Sequence, residues 1–245
     1  YVIGTLLIGT LAGTAISWRL GLLLVIPISI ALYIAVRGET EEAPHVRHED
    51  GPQSGKLPRI YWIAWVGFFA CISTEFATTF WSAALLRDRV GSTAAISTLA
   101  VVALGSGMGV GRWFGGIVLK KLHLDSQLKF ILGLQFVSFM TFWFSHNMFV
   151  SLVALFATGL GISMQFGLGS LRLIGFSNHR ADLAMGRGSL GAGSAIALSP
   201  FVLGLLGDHI GISRAFLMVA LLITIALSII ILVPSHENEI NELQN

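Results

Sequence analysis

Charged residues are scarce in this sequence. Asp, Glu, Lys and Arg make up 11% of it, whereas a water-soluble domain carries about 25%. Hydrophobic residues make up 54%, and the mean hydropathy is +0.79. Such a chain lacks the polar surface that a soluble globule needs, so a soluble enzyme or binding domain is excluded.

Cysteine is nearly absent, since Cys71 is the single one among 245 residues. One cysteine cannot build an internal disulfide framework or a multi-cysteine metal site, and Cys71 is interpreted as a small buried apolar residue. We expect no metal site and no cofactor. The net charge is only +2 and no basic stripe is present, which argues against nucleic-acid binding.

Long apolar runs dominate the chain instead. A helix needs roughly 20 residues to cross a bilayer core, and spanning segments in lipid satisfy their backbone as helices. The sequence therefore predicts an all-α membrane protein, a polytopic helical bundle. Its spans are expected at 20–36, 60–86, 92–119, 128–145, 147–171, 188–207 and 212–233, with a partial span at 1–18. Because Tyr1 already lies in an apolar stretch, we expect an internal-to-C-terminal part of a longer protein.

Basic residues predict the orientation of these spans. Ten Lys and Arg residues lie in the alternate loops 37–59, 120–129 and 172–187, and four lie in the opposite loops. Lys and Arg collect in cytoplasmic loops. We therefore expect a multi-pass protein of the plasma (cell inner) membrane with its C-terminus in the cytoplasm.

One hydrophilic segment divides the chain. Its Glu, Asp, His, Pro, Gly and Ser residues cannot build a core, which predicts a cytoplasmic linker at 38–58. A metal site at His45, His48 and Glu49 is disfavoured, because no preorganising structure is visible. About one and a half spans precede the linker. The expected units are the end of an N-terminal bundle, a C-terminal six-helix bundle and a cytoplasmic tail, at 1–37, 59–234 and 235–245.

Three short segments resemble the major facilitator superfamily. They are Ser17-Trp18-Arg19, the run from Gly111 to Gly116 followed by Lys120-Lys121, and the run from Pro200 to Asp208. The resemblance implies two six-helix halves, with helices five and six in 1–37 and helices seven to twelve in 59–234. The superfamily's loop signature has an acidic residue where Lys120 stands, so its gating salt bridge is not carried over to this loop.

Two charged residues, Glu75 and Arg112, lie well inside predicted spans. A carboxylate at the position of Glu75 costs about 2.5–3.5 kcal/mol in lipid, so Glu75 must face protein or water. It is a candidate proton-coupling residue, or else a structural Glu that is paired or protonated. Arg112 precedes Lys120 by about 12 Å of helix, which is too deep for full contact with headgroups. It is a candidate for binding an anionic substrate or for pairing with a carboxylate such as Glu75.

Polar residues accompany Glu75 on its helix. Helical spacing places Cys71, Thr78 and Ser82 on its face, with Thr74 beside it. The candidates for lining a substrate cavity are Cys71, Thr74, Thr78, Trp81, Ser82 and Gln165. Two alternatives stay open, an interfacial anchor for Trp81 and a bond to a neighbouring helix for Gln165. Pro200 predicts a helix kink that would serve gating.

Glycines crowd the stretch 105–116, which suggests a nucleotide loop at first sight. Their spacing matches neither G-x-G-x-x-G nor a P-loop. On a helix, one ridge for close packing is expected at Gly107, Gly111 and Gly115. The opposite side would hold Gly105, Gly109, Arg112 and Gly116.

These features predict a secondary active transporter of a small solute, working by alternating access, with proton coupling if Glu75 titrates. The expected partners are membrane lipids, a small-molecule substrate, protons and the N-terminal half of the same protein. We expect no enzymatic activity. One alternative is an integral-membrane lipid-modifying enzyme, whose candidate residues would be His179, Arg180 and Asp182. Another is a non-transporting membrane scaffold or a channel. The sequence does not indicate the substrate or the direction of transport.

Overall fold

The computed structural model describes residues 23, 25–37 and 53–235. The segment Ser17-Trp18-Arg19, the residues His45, His48 and Glu49, and the tail after 235 lie outside this range. Helix α1 comprises Val25–Val36, and its side chains are exposed. The other helices are α2 Arg59–Val90, α3 Ala94–Leu119, α4 Leu124–Phe144, α5 Met148–Ile162, α6 Gln165–Gly175, α7 Ala181–Ile210, α8 Ile212–Ala215 and α9 Leu217–Leu232.

Six helical segments are long and apolar enough to cross a membrane: Arg59–Val90, Ile96–Leu119, Leu124–Phe144, Met148–Gly175, Ala181–Ile210 and Ile212–Leu232. Helices α5 and α6 form one of these segments with an interruption at residues 163–164, and α8 and α9 form another. The described part of the chain contains no strand. The prediction of an all-α polytopic bundle is confirmed.

Several helices extend beyond the apolar runs. Helix α4 begins at Leu124 instead of 128, and α7 begins at Ala181 instead of 188. The loops predicted at 120–129 and 172–187 are therefore wrong in extent, and the real connections are 120–123 and 176–180. Hydropathy marks only the part of a helix in hydrocarbon, whereas backbone hydrogen bonds continue the helix into the headgroup region.

Short capped turns join the spans. Oγ1 of Thr93 accepts a hydrogen bond from the Ile96 N–H at 3.4 Å, and Oδ1 of Asn147 accepts one from the Phe149 N–H at 2.9 Å. Gly91 ends α2 in the left-handed conformation, with φ of 68°. Such short connections place consecutive spans antiparallel. We name the end of the bundle formed by Arg59, residues 120–123 and residues 176–180 the basic end.

Helix α2 lies at the centre of the bundle and packs against α3, α6, α7 and α9. Helix α5 packs closely against both α3 and α4. Between them lies a core of large side chains that are fully buried, such as Leu85, Leu104, Phe139, Leu155 and Phe216. Among the six spanning segments, those of α3 and α7 have the smallest buried share, 28% each. The described helices therefore leave an open side at α3 and α7.

Residues 53–58 pack onto the start of α7 at the basic end. Nη2 of Arg180 donates a hydrogen bond of 2.8 Å to the Lys56 carbonyl. Oε1 of Gln53 accepts one of 3.2 Å from the Asp182 N–H, in the first turn of α7. The segment before α2 is thereby attached to α7 as well as to its own helix.

Candidate functional site: a charged pair between helices α2 and α3

Two ionisable side chains meet inside the spans. Nη2 of Arg112 on α3 lies 3.5 Å from Oε1 of Glu75, which is halfway along α2. The Glu75 side chain is 12% exposed and the Arg112 side chain is 59% exposed. The pair thus has a largely buried carboxylate and a guanidinium that reaches the open side of the bundle.

A backbone carbonyl holds the same guanidinium. The Ser163 carbonyl lies at the interruption between α5 and α6 and accepts a hydrogen bond from Nε of Arg112 at 3.3 Å. Ser163 keeps helical dihedral angles, with φ of −50° and ψ of −38°, whereas Met164 departs from them, with φ of −109° and ψ of −1°. The interruption is therefore a local distortion of the helix. Arg112 thus bridges a carboxylate on α2 and a carbonyl at the distortion in the fourth of the six helical segments.

Glycines on α3 allow this approach. A Cβ atom added to Gly107 would collide with the Phe156 carbonyl, and one added to Gly111 would collide with the Ser163 side chain. Gly115 likewise faces Met164. The predicted ridge thus lies against α5 and the interruption, where it brings Arg112 within reach of Ser163. On the opposite side of α3, Cβ atoms on Gly109 and Gly116 would meet nothing within 4 Å.

A chain of buried amides ties the interruption to α2. Nε2 of Gln165 donates to Oε1 of Gln135 at 2.6 Å and to the Gly161 carbonyl at 3.1 Å. Nε2 of Gln135 donates to Oγ1 of Thr74 at 2.9 Å, and this hydroxyl donates to the Cys71 carbonyl at 2.8 Å. Of the two alternatives for Gln165, the structure has the bond to a neighbouring helix. These hydrogen bonds therefore link α6, α4 and α2 close to the charged pair.

The polar residues near Glu75 lie inside the bundle. The side chains of Cys71, Thr74, Thr78 and Ser82 are 2% exposed or less. They face neighbouring helices and not the open side where Arg112 lies. The hydroxyls of Thr78 and Ser82 make no hydrogen bond to any described residue.

Trp81 and Pro200 lie on facing helices. Nε1 of Trp81 donates to the Pro200 carbonyl at 2.9 Å, and its ring covers Gly204. Pro200 lies within α7, which continues on both sides of it. Since proline has no N–H, the Ile196 carbonyl lacks its usual helical partner. Trp81 therefore packs α2 onto α7 at the proline.

Sequence reasoning missed Gln135 and the Asp125–Arg172 ion pair. The sequence does contain a signal for Gln135, because a polar amide within the apolar run 128–145 indicates a contact inside the bundle. Arg172 was assigned to a loop, and its partner Asp125 is 47 residues away. Spacing along one helix cannot identify such a partner.

One comparison with known families gives a match. A model of the Major Facilitator Superfamily matches residues 1–174, which include Glu75, Arg112 and Gln165. The chain belongs to the major facilitator superfamily. No curated protein gives a significant match. Members of the superfamily are transporters of small molecules and not enzymes, so the chain is that of a multi-pass membrane transporter. The resemblance seen in the sequence is confirmed.

Proposed function

We propose that this superfamily member is a secondary active transporter that moves a small solute by alternating access and couples it to protons at Glu75 and Arg112. The observation that carries the proposal is the 3.5 Å approach of these two side chains inside the spans, beside the helix interruption at residues 163–164. Transporter sites are typically near the bilayer midplane, at discontinuous helices.

The energetic cost of the pair supports a functional role. Charges are expensive inside a membrane, and apolar residues of similar volume often stabilise a protein as well as a buried ion pair does. Packing alone therefore does not require Glu75 and Arg112.

Protonation of Glu75 provides a means of coupling. A charged Glu75 holds the Arg112 guanidinium at the Ser163 carbonyl, whereas a protonated Glu75 loses most of this attraction. The position of Arg112 then depends on whether Glu75 carries a proton. A carrier needs such a dependence to link proton movement to solute movement.

The proposed topology follows the charge distribution. The basic end and the C-terminus are placed in the cytoplasm of a cell whose plasma membrane the protein spans. Residues 1–37 belong to the N-terminal half, 38–58 form the linker, 59–234 form the C-terminal half, and 235–245 form the tail. The open side at α3 and α7 would face the N-terminal half, with the substrate between the two halves.

Transport by the full-length protein in proteoliposomes tests the proposal. A panel of labelled small solutes is offered with and without an inward proton gradient. The wild type should accumulate at least one solute only with the gradient. Glu75→Gln should abolish accumulation while retaining exchange, because the side chain no longer takes up a proton. The matched control is Asp208→Asn, an exposed carboxyl in the last turn of α7, which should transport normally.

Two results would overturn parts of the proposal. If the wild type accumulates no solute under any gradient, secondary active transport is wrong. If Glu75→Gln accumulates solute with undiminished proton uptake, the assignment of coupling to Glu75 is wrong.

A further inference from the structure

The two contacts of Arg112 occupy only one edge of its guanidinium. Nε and Nη2 share one edge of the planar group, and these atoms face the Ser163 carbonyl and Glu75. The other edge is formed by Nη1 and Nη2, and its N–H groups have no partner among the described residues. Two parallel N–H groups on one edge match the two oxygens of a single carboxylate.

Two glycines flank Arg112 on its side of α3. Gly109 and Gly116 lie three residues before and four residues after Arg112, on the same side of α3, and both have nothing within 4 Å. These two positions therefore place no side chain beside Arg112. Arg112 is also seven residues from the end of α3, about 10 Å inside it. A guanidinium at this depth is costly in lipid, so we expect it to face water or protein.

The net charge of Arg112, Glu75 and the ligand together determines which ligands can bind. Arg112 and Glu75 form a neutral pair, so a ligand with one negative charge leaves a net charge of −1 in a region of low dielectric constant. Uptake of one proton by Glu75 restores neutrality and removes the repulsion between the two carboxylates. A ligand with two negative charges would need a further cation.

Other helices around α2 provide few charges near Glu75. Helices α5 and α9 have no ionisable side chain. Helix α6 has Arg172, which is paired with Asp125 at the basic end. The ionisable residues of α7 and α8 lie towards the ends of the bundle, at Asp182, Arg187, Asp208, His209 and Arg214. Cys71 lies one turn away on α2 itself. Among the described residues, Arg112 is the cation that contacts Glu75. Arg187 lies at a similar distance from the basic end, six residues inside α7.

We propose that the substrate is a small monocarboxylate whose carboxylate binds the Nη1–Nη2 edge of Arg112, and that each molecule is transported with one proton on Glu75. This inference rests on the proposed function and specifies the substrate class of the same site. The glycines of α3 leave room for the ligand, and the Ser163 carbonyl orients the guanidinium.

Binding to the purified full-length protein tests the inference independently of transport. The probes are acetate, lactate and benzoate, each compared with its neutral amide. Thermal unfolding is followed by tryptophan fluorescence, and proton uptake is measured in weakly buffered solution. At least one acid should raise Tm by about 2–4 °C at saturating concentration, with uptake of one proton, whereas its amide should not.

Four variants locate the site. Arg112→Lys keeps the charge but loses the paired N–H groups, so Kd should rise at least ~10-fold. Arg112→Gln should show no rise in Tm when the acid is added. Glu75→Gln should keep the shift without proton uptake, which a merely misfolded variant would not do. Arg214→Gln, an exposed arginine at the opposite end of the bundle, should behave like the wild type.

The possible outcomes are distinct. Equal shifts by acid and amide, no shift by any acid, or an unchanged acid shift in Arg112→Gln would each overturn the inference. Gradient-driven accumulation of a neutral solute would overturn the substrate class but leave the proposed function intact. Binding of an acid at Arg112 without any gradient-driven accumulation would overturn the proposed function but retain the site.

Discussion

Nε of Arg172 donates a hydrogen bond of 3.1 Å to Oδ1 of Asp125, and both side chains are buried at the basic end. The same guanidinium also donates to the Val233 carbonyl, and the Ser235 N–H donates to Oδ2 of Asp125 at 2.6 Å. This ion pair therefore fastens the start of α4 and the end of α6 to the residues that follow α9.

Removal of the Asp125 carboxylate should destabilise the protein strongly. Asp125→Leu leaves a buried guanidinium without its counter-charge, which costs roughly 3–5 kcal/mol. A second change, Arg172→Met, should restore much of this loss because it removes the unpaired charge. The measurement is thermal unfolding of the purified variants, with Lys129→Leu on the exposed side of α4 as a control expected near wild type. A double variant less stable than Asp125→Leu would contradict this role of the pair.

A methyl group at Gly204 should separate α2 from α7. An added Cβ would lie 2.8 Å from Cζ2 of Trp81, whose ring is held by the bond to the Pro200 carbonyl. We expect Gly204→Ala to lower Tm, since overpacking costs roughly 1–3 kcal/mol. The matched control on the same helix is Gly193→Ala, where nothing lies within 4 Å. This control should be neutral or stabilising, because alanine is the better helix former.

A second substitution tests whether the clash with Trp81 causes the loss of stability in Gly204→Ala. Trp81→Phe makes room at Gly204, so the double variant should lose less than the sum of the two single losses. Strict additivity would mean that the ring of Trp81 does not pack on Gly204.

The amide chain should contribute stability through Gln165. Gln165→Leu leaves the buried Oε1 of Gln135 without its donor, which costs about 1–3 kcal/mol. The double variant with Gln135→Leu should recover part of this loss, because both partners become apolar. Thermal unfolding provides the measurement, and Gln127→Leu, whose amide bonds only to the nearby Leu122 carbonyl, is the control. Equal stability of Gln165→Leu and Gln127→Leu would contradict a structural role for the chain.

The spans can be predicted from the sequence because of the constraints that a lipid bilayer imposes. A segment in hydrocarbon must be apolar and helical, so the runs in the sequence correspond to the spans in the structure. Helix ends were less predictable, because α4 and α7 continue through charged residues that hydropathy assigns to loops. Helix α6 likewise continues to Gly175, so the buried Arg172 falls in a loop predicted from hydropathy.

The members of the site were easier to predict than their contacts. Glu75 and Arg112 were evident because charges are rare inside spans, but their contact across 37 residues depends on how α2 and α3 are rotated. Helical spacing similarly placed Thr78 and Ser82 on one face. It could not indicate whether that face points into the bundle or towards a cavity, since this depends on the neighbouring helices.

Accessibility of Cys71 distinguishes these two orientations. The side chain is 2% exposed and belongs to the core cluster around α2. We expect N-ethylmaleimide to leave it unmodified in the folded full-length protein and to modify it after unfolding in detergent, with any cysteines outside residues 1–245 replaced by serine.

The reference for this test is a Cys71→Ala protein that carries Gly109→Cys on the open side of α3. A Cβ at that position meets nothing within 4 Å, so its thiol should react in the folded state. Mass spectrometry of the intact protein gives the rate of modification in both cases. If Cys71 reacts as fast as the cysteine at position 109, its face of α2 borders water. The polar stripe would then line the substrate cavity, as the sequence predicts, and not the interior of the bundle.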